Sequence, residues 1–169
     1  MDTKKPLQGK KLLIVDDEPD ILELLTELLS ACLVDRASTF DEARALLESE
    51  HYDAVVLDIM GVEGFELLKI ANRKNFPALM LTAHALNKET LKRSAEEGAS
   101  YYVPKDEIAK IDLFVADVLE SMEKDKNPWV RWYERLGAFF DNREEFSGAN
   151  WREQERKFYE EKLKRTPDV

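Results

Sequence analysis

Two hydrophobic periods alternate along the first 123 residues. Short apolar runs occur at Leu12–Val15, Ala54–Leu57 and Ala78–Leu81, with weaker ones at Leu33–Val34 and Tyr101–Val103. Each is too short for a helix, and most are bounded by turn or charged residues, so each predicts a strand. Helical periods lie between them. Ile21, Leu24, Leu25, Leu28 and Leu29 follow the i, i+3, i+4, i+7, i+8 spacing of one buried face. Thr39 and Glu42 have capping-box spacing ahead of Ala43, Leu46 and Leu47. Phe65, Leu68 and Ala71 form a poorer stripe, and Leu91 and Ala95 are almost the only apolar marks on Lys88–Glu97. Ile108, Ile111, Val115, Val118, Leu119 and Met122 form the clearest stripe. Strands that alternate with helices predict an α/β fold with a parallel sheet covered on both faces. Right-handed crossovers make it a doubly wound open sheet.

The pattern changes at Lys124–Pro128, where Asn127-Pro128 reads as a helix cap followed by a first helical position. Pro128–Phe146 predicts one amphipathic helix, with Trp129, Trp132, Tyr133, Leu136 and Phe140 near one side. Ser147-Gly148 interrupts it, and Asn150 could cap a second helix bearing Trp151, Phe158, Tyr159 and Leu163. Two short helices cannot bury so much aromatic surface alone. They must dock on the preceding domain, on a second copy of the chain or on a partner.

Composition sharpens this division. Residues 1–123 carry a net charge of −11 and residues 124–169 of +1, whereas nine of the 16 aromatic residues fall in the last 42 positions. The whole chain, at −10 with a pI near 4.8, is poorly suited to general binding of nucleic acid or an anionic membrane. No apolar run reaches the length of a membrane span, and Met1–Lys11 lacks the apolar stretch of a signal peptide. With Cys32 as the only cysteine, there is neither a disulfide framework nor a thiolate metal cluster. A soluble, cytoplasmic protein is expected.

In open parallel sheets a ligand sits beyond the carboxyl ends of the strands. Those ends carry Asp16-Asp17 after the first strand, Asp58 after the third, Thr82 after the fourth and Lys105 just past the fifth. Carboxylates brought together repel, and either protonation or a bound divalent cation relieves them. Mg²⁺ typically takes one or two carboxylates plus waters or phosphate oxygens. Lys105 suits a carboxylate or phosphoryl partner.

Four blocks, in this order and spacing over residues 9–123, resemble the receiver domain of two-component response regulators. They are Leu12-Leu13-Ile14-Val15-Asp16-Asp17-Glu18, Val55-Val56-Leu57-Asp58, Leu79-Met80-Leu81-Thr82-Ala83 and Gly98-Ala99-Ser100-Tyr101-Tyr102-Val103-Pro104-Lys105. The resemblance implies a flavodoxin-like five-stranded sheet of order 2-1-3-4-5, with residues 124–169 as a helical extension. It implies that Asp58 is the phosphoacceptor, taking its phosphoryl group from a histidine kinase or phosphotransfer protein. It implies that Asp17, Asp58 and the Met60 carbonyl hold Mg²⁺, with Asp16 acting through a bound water. Lys105 would bind one phosphoryl oxygen and Thr82 another. Thr82 and Tyr102 would form the switch that alters the surface of the fourth sheet-linked helix, fifth strand and fifth sheet-linked helix. The segment Asp58–Gly64 is about two residues shorter than usual in the family and lacks its proline, which bears most on Met60. The usual Lys-Pro is replaced by Pro104-Lys105-Asp106.

Other functions fit less well. An aspartyl-nucleophile phosphatase needs an acid two residues after the nucleophile, where this chain has Met60. A helix-turn-helix reading of the tail meets a second helix opening Trp151-Arg152-Glu153-Gln154-Glu155-Arg156, with acids interleaved. A receiver that is never phosphorylated, serving as a binding module, is the main alternative. His84 could shape access of water to an acyl phosphate, although a loop histidine without catalytic effect is the plainer reading. The chain is thus expected to be no ordinary enzyme, with the tail acting through dimerisation or docking to an output partner protein of unknown identity. Packing of the tail within the chain is the other reading.

Overall fold

The computed structural model describes residues 4–83 and 88–141, with side chains from Lys5 to Leu136 and Gly137 outside the 84–87 gap. Five strands form one parallel sheet of order β2-β1-β3-β4-β5. They are β1 Lys11–Val15, β2 Leu33–Ala37, β3 Ala54–Asp58, β4 Ala78–Thr82 and β5 Tyr101–Pro104. A single turn, α1 (Lys4–Leu7), precedes the sheet. The connecting helices are α2 Pro19–Leu28, α3 Phe40–Ser49, α4 Gly64–Arg73 and α5 Lys88–Glu96. After β5, a 3₁₀ segment over Lys105–Lys110 leads into α6 Ile111–Glu123. The predicted fold class and strand order are therefore observed.

The central strands β1, β3 and β4 have strand neighbours on both edges and helices on both faces, so they read as continuous apolar runs. Reversal of the chain between β2 and β3 places α2 and α6 on one face and α3, α4 and α5 on the other. Local signals fix several helix starts. Thr39 Oγ1 accepts the Glu42 backbone N–H at 3.2 Å, as the capping-box spacing predicts. Glu42 reaches back to the Ser38 amide and hydroxyl at 3.1 and 2.9 Å, one residue earlier than the simple motif. Leu7, ahead of the predicted strand region, is buried in the core.

The first tail helix, α7 (Pro128–Asp141), differs from the expected use of the tail. Its aromatic face packs within the chain, against α6 and the edge strand β5, and Trp129, Trp132 and Leu136 are buried there. The reversal is built into the connection. Asp125 takes the left-handed conformation (φ 54°), and the Lys126 amide returns to the Ser121 carbonyl at 2.7 Å, a common way of ending a helix. Asn127 Oδ1 then accepts the Trp129 amide at 3.0 Å and caps α7, as predicted. The second predicted tail helix (Asn150, Trp151, Phe158, Tyr159, Leu163) and His84 lie outside the described residues, as does the Phe140 side chain. Among the described residues no helix is long and apolar enough to cross a membrane.

Candidate functional site

The carboxyl ends of β1, β3 and β5 converge on one acidic pocket. Asp16, just past β1, is fully buried, and Asp58 closes β3 with its side chain only 4% exposed. Lys105 enters from the end of β5. Its Nζ lies 3.0 Å from Asp16 Oδ2, 3.2 Å from Glu18 Oε1 and 3.5 Å from Asp58 Oδ1. Thr82, at the end of β4, is buried and pairs in register with Pro104, the residue before Lys105. Asp16 also accepts the Glu18 backbone N–H through Oδ1 at 2.9 Å, which holds the turn leading into α2.

Electrostatics follow from this crowding. Burial, then the neighbouring Asp16 charge, pushes the Asp58 carboxyl up to about 7, with Lys105 acting in the opposite direction. Asp16 is likewise raised by burial, against the hydrogen bonds it receives. Burial alone would lower the Lys105 ammonium, but Asp16 and Asp58 outweigh it and hold it above its ordinary value. The pocket therefore contains more negative charge than one ammonium can offset.

The loop after Asp58 closes the pocket by backbone approach. The Ile59 amide bonds the Leu81 carbonyl at 3.0 Å, extending the β3–β4 pairing, and the Gly64 amide returns to the Ile59 carbonyl at 3.1 Å. A Cβ on Gly64 would lie 2.2 Å from the Asp58 carbonyl oxygen, so α4 can start this close to β3 only with glycine. Gly61, at φ +81°, backs onto Asp17, and a Cβ there would sit 2.6 Å from the Asp17 carboxylate. Gly61→Ala is expected to cost about 1–2 kcal/mol in stability from the left-handed backbone alone. It should also displace the Asp17 carboxylate, so that any divalent cation held by that carboxylate, Mg²⁺ included, would bind several-fold more weakly. Urea unfolding and a Mg²⁺ titration check the two parts separately.

The response regulator receiver domain matches residues 12–116. The chain belongs to that family. Among curated receivers, it is 34% identical over 105 residues to the transcriptional regulatory protein TcrA of Mycobacterium tuberculosis, covering 59% of this chain and 41% of TcrA. It is 30% identical over 139 residues to the regulatory protein VanRc of Enterococcus gallinarum, covering 76% of this chain and 60% of VanRc. The chain thus spans about half the length of these two relatives. Among solved structures, a CheY-like receiver from Methanospirillum hungatei superposes with a TM-score of 0.63 at 27% identity, over 70% of this chain and 99% of that one.

Of the residues singled out in this receiver's sequence, the fold gathers Asp16, Asp58, Thr82 and Lys105 at the strand ends. It places Asp17 against Gly61, on the same rim. Met60 lies in the closing loop and is 67% exposed, and Tyr102 is fully buried in β5. Glu18 was not singled out, yet it joins the pocket through Lys105. Its adjacency to Asp16-Asp17 was the available signal. Receiver domains typically bind Mg²⁺ in an acidic pocket, and the donor set here suits a hard cation. Carboxylate oxygens of Asp16, Asp17 and Glu18 lie within 4.8 Å of one another. Excess negative charge at Asp58 gives such a cation a physical reason to bind.

Proposed function

We propose that this receiver takes a phosphoryl group on Asp58 from a histidine kinase or a phosphotransfer protein and signals through contacts with an output protein. The observation that carries this reading is the meeting of Asp58, Asp16 and Lys105 at the ends of three parallel strands. In the transfer, an Asp58 carboxylate oxygen forms a bond to phosphorus as the P–N bond of the donor phosphohistidine breaks. The departing imidazole recovers a proton from solvent.

Asp17, Asp58 and the Met60 carbonyl would hold Mg²⁺, with Asp16 contributing through a water and Glu18 completing the acidic rim. The ion supplies charge neutralisation on the transferring phosphoryl group. Lys105 leaves part of its present contact with Asp16 and Glu18 to serve a phosphoryl oxygen, and the Thr82 hydroxyl donates to another. Tyr102 follows Thr82, and β5 passes the change to its flanking helices. The chain acts on its own side chain, not on a separate substrate. Residues 9–123 form the receiver and 124–169 an extension devoted to output.

TcrA is described as a transcriptional regulator, but protein contacts are the better proposal for these 169 residues, given their net charge of −10. Intact-mass spectrometry after incubation with acetyl phosphate tests the central claim. We expect a Mg²⁺-dependent gain of one phosphoryl group that disappears in Asp58→Asn. No gain in folded protein, under conditions where another receiver reacts, would leave a phosphorylation-independent binding module in its place.

A further inference from the structure

β5 is an edge strand, so one row of its backbone groups has no neighbouring strand. α7 meets that edge with directed bonds as well as apolar surface. Trp129 Nε1 donates to the Ala99 carbonyl at 3.0 Å, just before the strand. Trp132 Nε1 donates to the Tyr102 carbonyl at 2.7 Å, within it. The two rings also meet edge-on, with centroids 5.3 Å apart. One turn further along α7, Arg135 grips the buried Asp117 of α6 through Nε at 2.6 Å and Nη2 at 3.1 Å. The same carboxylate accepts the Tyr101 hydroxyl at 3.1 Å. α7 is therefore tied to both Tyr101 and Tyr102.

The other end of this strand belongs to the acidic pocket. Lys105 follows Tyr102 by three residues, roughly 10 Å of extended chain, and contacts Asp16, Glu18 and Asp58. β5 thus joins two sets of directed contacts across one short rigid element. A phosphoryl group on Asp58 would offer Lys105, already 3.5 Å from Asp58 Oδ1, new oxygens in competition with Asp16 and Glu18. Any backbone shift that accompanies the exchange is carried by the strand on which α7 docks. Directed hydrogen bonds weaken as their geometry departs from linear, and packed elements shift between discrete arrangements more readily than they deform.

We propose that α7 is an internal ligand of β5 whose docking favours the unphosphorylated pocket, so that phosphorylation of Asp58 and release of α7 are thermodynamically linked. This inference rests on the phosphoacceptor reading. Linkage is reciprocal: whatever factor phosphorylation takes from α7 docking, loosening of α7 returns to phosphorylation. Release uncovers the aromatic face of Trp129 and Trp132 together with the β5 edge, and presents both to an output protein.

The test uses the full chain carrying Trp151→Phe, so that indole emission reports only Trp129 and Trp132. After treatment with acetyl phosphate and Mg²⁺, intact mass gives the phosphorylated fraction. Hydrogen exchange over residues 128–137 and the emission maximum are then read on the same sample. We expect exchange in α7 to rise about five-fold or more, with a red shift in emission. Trp132→Phe keeps a ring but loses the indole donor, and it should raise the phosphorylated fraction reached at a fixed, limiting acetyl phosphate concentration several-fold. Trp129→Phe, removing the bond to Ala99, provides an independent second variant. A phosphoryl gain with unchanged α7 exchange and an unchanged phosphorylated fraction in both variants overturns the linkage and leaves the receiver reading standing. Absence of any gain overturns both.

Discussion

Asp58→Asn is expected to stabilise the metal-free protein at pH 8 by ~2–4 kcal/mol, although it removes the proposed phosphoacceptor. The folded protein holds the Asp58 carboxyl near 7 against an ordinary value of 3.8, so folding disfavours its charge. A group with a raised folded value contributes fully below its unfolded value and loses that contribution as pH rises through the folded one. The window here runs from about 4 to about 7, and wild type should lose stability across it while Asp58→Asn does not. Asparagine keeps the shape without the charge, and Lys105 retains Asp16 and Glu18 at 3.0 and 3.2 Å. The difference should shrink to below ~2 kcal/mol near pH 5. Mg²⁺ should narrow it at pH 8, because a ligand of the folded state stabilises wild type by mass action. Urea unfolding with a chelator and with Mg²⁺, at both pH values, gives all four numbers. A difference independent of pH would show that the Asp58 charge is not its source.

The legible parts of this protein were those set by local pattern. β1, β3 and β4 were readable because burial on both faces makes every position apolar, and Asp16 and Asp58 stood out as the first charges after such runs. β2 was faint for the opposite reason. It is an edge strand, with Leu33 64% exposed and Arg36 also outward, so only part of it carries a burial signature. α5 showed little more than Leu91 and Ala95 because a third buried position is Ser94, whose hydroxyl donates to the Thr90 carbonyl within the helix.

What escaped the sequence depended on elements far apart in the chain. Glu18 becomes part of the pocket only when Lys105, 87 residues later, arrives beside it. Met122 was counted in the apolar stripe of α6 but is 39% exposed near that helix's end. Asp117 is the clearest case. An acid in an amphipathic helix is ordinarily assigned to water, but Phe114, Asp117, Val118 and Ser121 share a buried face. A later helix covers it, and the paired arginines of that helix at 131 and 135 were the only hint of an acid opposite. The fate of the tail aromatics was hidden in the same way. Pattern showed that Trp129, Trp132 and Leu136 needed a surface, but not that the edge of β5 supplied it.

Arg135→Met should destabilise the fold by ~3 kcal/mol, because it strands the Asp117 carboxylate in the interface between α6 and α7. Asp117 is fully buried, and Arg135 supplies two of its hydrogen bonds. What remains is the Tyr101 hydroxyl at 3.1 Å and the half-exposed Arg131 at 3.8 Å. Methionine preserves much of the aliphatic stem, so the loss reports the missing charge pair more than missing packing. Adding Asp117→Asn to Arg135→Met should recover part of the stability, since a neutral amide is easier to bury than an unpaired carboxylate. The two substitutions are therefore expected to be strongly non-additive, as contacting residues are. Urea unfolding of both single variants and the double variant measures this. If the double variant loses the sum of the two single losses, Asp117 and Arg135 are not a coupled pair, and α7 is held by its apolar face and its tryptophan hydrogen bonds.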